Sequence, residues 1–206
     1  MTIPVLFLVI YASPFEIGLF GFAQILMSLI LLATVSIANT LLPTLASLKN
    51  SQRIRSIVSQ SNRLALSVSI PAAIFLALEG PLVLDLFFSS NYSASVTILI
   101  GFAVQTAVYP LFHNLNSTII ASGKTYIDTI KSTLMLISSV VFCILLVPEL
   151  GAVGAAFALS LTFILGIMAG SHFLNTIAPL FTSNLSAALR ISVISLITVL
   201  VFRYLS

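Results

Sequence analysis

A chain of 206 residues that is 59% hydrophobic and only 6% charged is excluded from the soluble globular class, where about 25% of residues are charged. Its formal charge of +3 and mean hydropathy of +1.21 describe an integral membrane protein whose cations flank apolar runs, so the basic balance marks membrane topology rather than nucleic-acid binding. A single cysteine, Cys143, and two histidines exclude an internal disulfide and leave no ligand set for a zinc or iron–sulfur centre.

A bilayer span needs about 20 apolar residues. Met1–Ala12 offers fewer, with Pro4 near its start, and reads as half a span or the remnant of a longer helix. It lacks the basic n-region and small-residue cleavage site of a signal peptide. Ser13–Glu16 is expected as a turn. Ile17–Leu48 carries no formal charge; as a helix it would be roughly 45 Å long, so it tilts, bends near Pro43 or extends past the membrane.

Lys49–Arg63 then gathers Lys49, Arg53, Arg55 and Arg63. A Lys or Arg at mid-bilayer costs about 2.5–3.5 kcal/mol, so this stretch is expected as an aqueous loop, cytoplasmic by the positive-inside tendency. Leu64–Leu78 returns through the membrane, interrupted by Pro71, and Glu79-Gly80-Pro81 is expected to end it. Leu82–Phe88 follows as a short apolar piece at the far interface, then a polar turn at Ser89–Ser95. Val96–Ala121 crosses again, with Pro110 inside, to a second basic turn holding Lys124 and Lys131. Ile130–Val147 goes out, Pro148–Gly151 turns, and Ala152–Leu174 comes back. Asn175–Ser186 connects to a last span at Leu189–Leu205.

The expected fold is all-α and integral to the membrane, with about 6–7 transmembrane helices in one domain over residues 1–206 and a truncated first span. Charge placement agrees with that segmentation. Lys49, Arg53, Arg55, Arg63, Lys124, Lys131 and Arg190 fall on one side and Arg203 on the other, while Glu16, Glu79, Asp85 and Glu149 lie opposite the main group. Alternation at period two is absent, which excludes a transmembrane β-barrel. There is no nucleophile elbow, H-E-x-x-H, Walker A or close carboxylate pair, so no catalytic residue and no cofactor is assigned and an enzyme is not expected. Asn91-Tyr92-Ser93 matches a glycosylation sequon.

Two spans carry polar stripes. At helical spacing Gly21, Gln24, Ser28, Ser36 and Asn39 share one face of the second segment; Thr97, Gly101, Gln105, Tyr109 and Asn116 share one face of the span after Asn91, with His113 at the edge. Uncharged amides in lipid require either a neighbouring helix or a wet cavity, and both readings stand. The substrate-cavity candidates are therefore Gln24, Ser28, Asn39, Gln105, Tyr109 and Asn116. Arg53, Arg55, Arg63, Lys124 and Lys131 are expected at the headgroup level. Gly154, Ala158, Thr162, Gly166 and Gly170 recur every four residues, the pattern of a close-packing seam. Thr129, Ser132, Thr133, Ser139 and Cys143 on the preceding span form a plausible partner row.

The order of these pieces resembles a known family. A long helix closing on LLPTLASL (41–48), a basic stretch, a proline-containing helix, LFFSSNYSAS (86–95), NSTIIASGK (116–124) and VPELGAVGAAFA (147–158) are similar to the C-terminal half of the polysaccharide/oligosaccharide flippases of the multidrug/oligosaccharidyl-lipid/polysaccharide exporter superfamily. The matching positions are Pro43, the Ser122-Gly123-Lys124 turn, and Pro148, Gly151, Gly154, Ala155 and Ala156, over roughly residues 10–175. Where the family has Phe-Gly, this chain has Phe88 followed by Ser89, Ser90 and Asn91.

The resemblance implies one lobe of a two-lobed, alternating-access exporter of lipid-linked glycan precursors in the plasma membrane, powered by an ion gradient or the membrane potential. It implies an N-terminal lobe or second subunit as partner, besides membrane lipids and the lipid-linked glycan. A drug/cation antiporter lobe and a non-transporting scaffold of a glycan-synthesis complex are the alternatives.

Overall fold

The computed structural model describes residues 2–48, 50–87, 95–173 and 190–196, and all of the regular structure among them is helical. The helices are α1 (Thr2–Tyr11), α2 (Pro14–Asn39), α3 (Leu41–Ala46), α4 (Ser51–Phe87), α5 (Ser95–Ala121) and α6 (Thr125–Phe173), and residues 190–196 are also helical. The turn at Ser89–Ser95 up to residue 94, the sequon, the 175–186 connection, Lys49, Arg203 and most of the last span lie outside the described residues.

Among the described residues, four helices are long and apolar enough to cross a membrane: Pro14–Leu32, Gln52–Leu82, Ser95–Ala121 and Thr125–His172. The last is a hairpin. Gly151 takes φ 54°, ψ −131°, a conformation open to glycine and strained for any L-residue with a Cβ. The two arms then run antiparallel. A Cβ on Gly154 would meet the Leu146 carbonyl, one on Gly166 would stand 2.5 Å from Met135 Sδ, and one on Gly170 would stand 3.3 Å from Lys131 Cδ. The four-residue glycine row is thus the seam between the arms, as its spacing predicts. Of the suggested partner row, Ser139 and Cys143 are buried, while Thr129, Ser132 and Thr133 are exposed.

The break before α2 is a capping box with proline at the first helical position. The Ser13 N–H donates to Glu16 Oε2 (3.0 Å) and the Glu16 N–H donates to Ser13 Oγ (3.3 Å).

Two expectations are corrected. The basic stretch is not a loop. Asn50 Oδ1 accepts the N–H groups of Gln52 (2.9 Å) and Arg53 (3.4 Å) and so caps α4. Ile54, Ile57 and Val58 then face a small core of Leu41, Leu45, Leu115, Ile119 and Ile127, which keeps the first turns helical. Nor does Glu79-Gly80-Pro81 end the helix, because α4 continues to Phe87. Gly80 is buried, and a Cβ there would lie 3.3 Å from Leu99 Cδ1. Packing against α5 carries α4 past the proline, although its ring removes a backbone donor and crowds the carbonyl of Ala77.

The larger core joins α1, α2, α4, α5 and α6 through Leu8, Phe20, Met27, Leu76, Leu99, Phe102, Cys143, Ala155 and Ala156. At its centre the Phe20 and Phe102 rings are 5.2 Å apart. A Cβ on Gly101 would stand only 2.8 Å from Ala156 Cβ, so α5 and the second arm of α6 touch nearly backbone to backbone. Ser160 Oγ donates to the Gly101 carbonyl at 2.7 Å across that contact. Outside, Ile25, Leu29 and Leu32 on α2 and Leu134, Ile137, Val141, Ile144 and Leu145 on α6 are exposed. An apolar belt of that kind suits a hydrocarbon solvent and not water.

Glu16 and the exposed cations mark opposite ends of the bundle, while Asp128 lies at the basic end, paired with Lys131. Glu16 lies beside the Gly151 turn, where a Cβ would stand 3.0 Å from Glu16 Oε1, and Gly80 beside Leu99 marks the same end. Arg53, Arg55 and Lys124 belong to the end built around Val58 and Ile127.

Candidate functional site

The polar interior lies toward the basic end, and Lys131 is its centre. Its side chain is 0% exposed. The Nζ donates to Asp128 Oδ1 at 2.6 Å and to Asn116 Oδ1, and it stands 4.8 Å from the centroid of the Phe112 ring. A carboxylate, an amide oxygen and an aromatic face together replace the water that a buried ammonium loses. Asp128 is 36% exposed, so it is the member of the pair that water reaches. Gly170 makes room on the other side, where a Cβ would stand 2.7 Å from Leu115 Cδ2.

This corrects the expectation for Lys131. It is no headgroup cation at the surface but a staple between α5 and α6. Lys124, by contrast, is exposed and follows the helix C-terminus, where Gly123 takes φ 69° as its glycine suggests. Arg53, Arg55 and Arg63 are exposed on α4.

A second polar contact ties α4 to α5. Asn114 is fully buried; its Nδ2 donates to Asn62 Oδ1 (2.8 Å) and Ser61 Oγ (3.2 Å). Higher on the same interface, Ser69 Oγ donates to the Ala107 carbonyl (3.4 Å).

The two sequence stripes have different fates. On α2, Gln24 is half-buried, and Ser28 and Asn39 are exposed. Ser28 Oγ donates to the Ile25 carbonyl of its own helix (2.7 Å) and Ser36 Oγ to Leu32 (2.8 Å). Self-satisfaction of this kind lets a hydroxyl sit in lipid without a partner helix. On α5, Gln105 is 0% exposed, and among the described residues neither its Nε2 nor its Oε1 has a hydrogen-bond partner. Tyr109 is half-buried and joins an aromatic layer, 5.3 Å from the Phe163 ring, which is 4.9 Å from Phe112. Asn116 is taken by Lys131.

Beyond the aromatic layer, a groove of about 260 Å³ opens between α1, α5 and α6, lined by Pro4, Phe112, Met135, Ser139, Thr162 and Phe163 among others. The structure therefore joins Asn116 to Lys131 and places Ser28 and Asn39 apart from them on an outward face.

Sequence reasoning missed Asp128, Asn114, Ser61 and Asn62. The signal for Asp128 was its i, i+3 spacing to Lys131 at a helix start. Asn114 lies off the α5 stripe that includes Asn116, so periodicity chosen for one face passed over it. Among the described residues no group of His, Cys, Asp and Glu is arranged to hold a metal.

No protein-family model matches the chain, and no curated protein matches it. Among solved structures it is similar to a lipid II flippase, MurJ, in an inward closed conformation, with a TM-score of 0.78 and 19% sequence identity over 93% of this chain. The match covers 41% of that chain, so this sequence spans about two fifths of the flippase's length. The helices described above, with α6 folded on itself at Gly151, have the fold of part of that flippase.

Proposed function

We propose that this chain is one lobe of a two-lobed, alternating-access transporter that moves lipid-linked oligosaccharide or polysaccharide precursors across the plasma membrane. The observation that carries the reading is the likeness of nearly the whole chain to part of a lipid II flippase. A lobe is also what the surface suggests. The larger core draws on α1, α2, α4, α5 and α6, yet α2 presents Ser28, Ser36 and Asn39 outward beside an apolar belt. In the assembled transporter that face meets the cavity shared with a second lobe. Amides there both donate to and accept from sugar hydroxyls, and Gln24 extends the row. The basic end, with Arg53, Arg55 and Lys124, faces the cytoplasm.

Complementation tests this directly. A cell lacking a lipid-linked glycan flippase is given this chain alone or together with an N-terminal lobe. Restored export with the second lobe supports the reading; failure of both, with normal expression and membrane insertion, refutes it.

One observation favours the antiporter alternative. Glu79 sits inside α4 rather than in a turn, and its Oε1 is buried without a hydrogen-bond partner among the described residues. Proton or sodium flux in liposomes that is driven by a cationic drug and lost in Glu79→Gln would select that reading instead.

A further inference from the structure

The elbow between α3 and α4 holds a groove of about 160 Å³ with Thr40, Leu41 and Thr44 on one wall and Ile57, Gln60 and Leu64 on the other. The walls are mixed. Leu41, Ile57 and Leu64 give hydrocarbon surface, and the Thr40, Thr44 and Ser61 hydroxyls with the Gln60 amide give hydrogen-bonding groups. On α4, positions 53, 57, 60 and 64 recur at i, i+4, i+7 and i+11, so they share one face. Arg53 therefore continues the groove one turn beyond Ile57, and its side chain is exposed. Arg55, two residues later, is equally exposed but lies on the opposite side of the helix. The sequence holds no acid between Glu16, at the far end of α2, and Glu79, so nothing on the rest of α2, on α3 or on the first half of α4 opposes this charge. The groove also sits where the apolar stretch Gln52–Leu82 begins, the depth of a lipid headgroup.

We infer that this groove is a binding site for one anionic phospholipid. The Arg53 guanidinium takes the phosphate through paired N–H donors. Gln60 and Thr44 meet the polar headgroup, and the first methylenes lie along Ile57 and Leu64. A free phosphate would leave that apolar wall unused, which is why the occupant is a lipid. The site does not depend on the transport reading, since it requires only the elbow and a charged leaflet.

The test uses the full chain in a neutral detergent, with short-chain phosphatidylglycerol as the probe and bound lipid counted by native mass spectrometry. Arg53→Gln is expected to weaken binding about tenfold, the effect of losing one charge-assisted contact. Thr44→Leu fills the groove without changing charge and is expected to weaken binding similarly. Arg55→Gln removes the same charge from the other side of the helix and is expected to stay within about twofold, as a distant exposed charge should. Equal losses in the two arginine variants would overturn the site in favour of general attraction to the basic end. Equal binding of short-chain phosphatidylcholine would overturn the phosphate-charge assignment. Displacement by inorganic pyrophosphate as readily as by the lipid would overturn the lipid as occupant.

Discussion

Around Phe20 and Phe102 the helices meet through small apolar groups, whereas around Lys131 and Asn114 they are tied by polar ones. The first region depends on what is absent from a side chain: Gly101 lets Ala156 approach, and five helices share one core. The second depends on which group faces which: Lys131 with Asp128 and Asn116, Asn114 with Ser61 and Asn62. Close packing tolerates loss of a polar group and fails on added bulk. A polar staple fails when one partner goes and the other stays buried. The two ends of the bundle should therefore break under opposite kinds of substitution.

The largest expected effect is at the staple. Asp128→Asn leaves the Lys131 ammonium buried without its carboxylate and should cost about 3 kcal/mol, the low end for breaking a buried pair because Asp128 is partly solvated. Lys131→Met should cost less, and the double variant should lie within about 1 kcal/mol of the parent, since hydrophobic replacement of a buried pair is often neutral. Denaturant titration in mixed micelles of the two single variants and the double variant measures this; a double variant as weak as Asp128→Asn would show that the pair is not the source of the loss.

Next comes the apolar end, where Gly101→Val should cost about 2 kcal/mol by overpacking against Ala156. Gly18→Ala, where no atom lies within 4 Å of the added Cβ, should be neutral or stabilising by about 0.5–1 kcal/mol. The same titration reads both, and equal behaviour of the two glycines would mean that the α5–α6 contact is looser than described.

The smallest effect is at the α4–α5 contact. Asn114→Leu removes two interhelical hydrogen bonds and leaves Asn62 and Ser61 buried, so it should cost about 1–2 kcal/mol, and Asn62→Leu in the same background should cost little more in the same titration.

Much of the fold was legible because hydrocarbon imposes length and polarity on every span. The α6 hairpin, its turn at Gly151 and its glycine seam follow from Pro148, the glycine spacing and two apolar runs. The α2 start follows from Ser13, Pro14 and Glu16. Helix persistence was harder to read. Pro81 and the basic residues before Arg63 both suggested breaks, and in both places tertiary packing, Gly80 on Leu99 and Val58 on Leu45, kept the helix going.

The polar interior was the least legible part, because residue type does not reveal the partner. Asn116 and Lys131 are fifteen residues apart, and only the α5–α6 turn brings them together. Ser28 Oγ donates to the Ile25 carbonyl of its own helix, a partner that residue type does not announce. Periodicity identifies a face of a helix; what that face meets is decided by the other helices.

The topology is tested most directly by labelling with a membrane-impermeant maleimide. Cys143 is buried and is first replaced by alanine; single cysteines then replace Arg53, Lys124 and Glu149. Labelling of positions 53 and 124 in inverted vesicles only, and of position 149 in right-side-out vesicles only, is the expected result. Labelling of 53 and 124 from opposite faces, or of both only from outside, would contradict a lobe whose basic end lies in the cytoplasm.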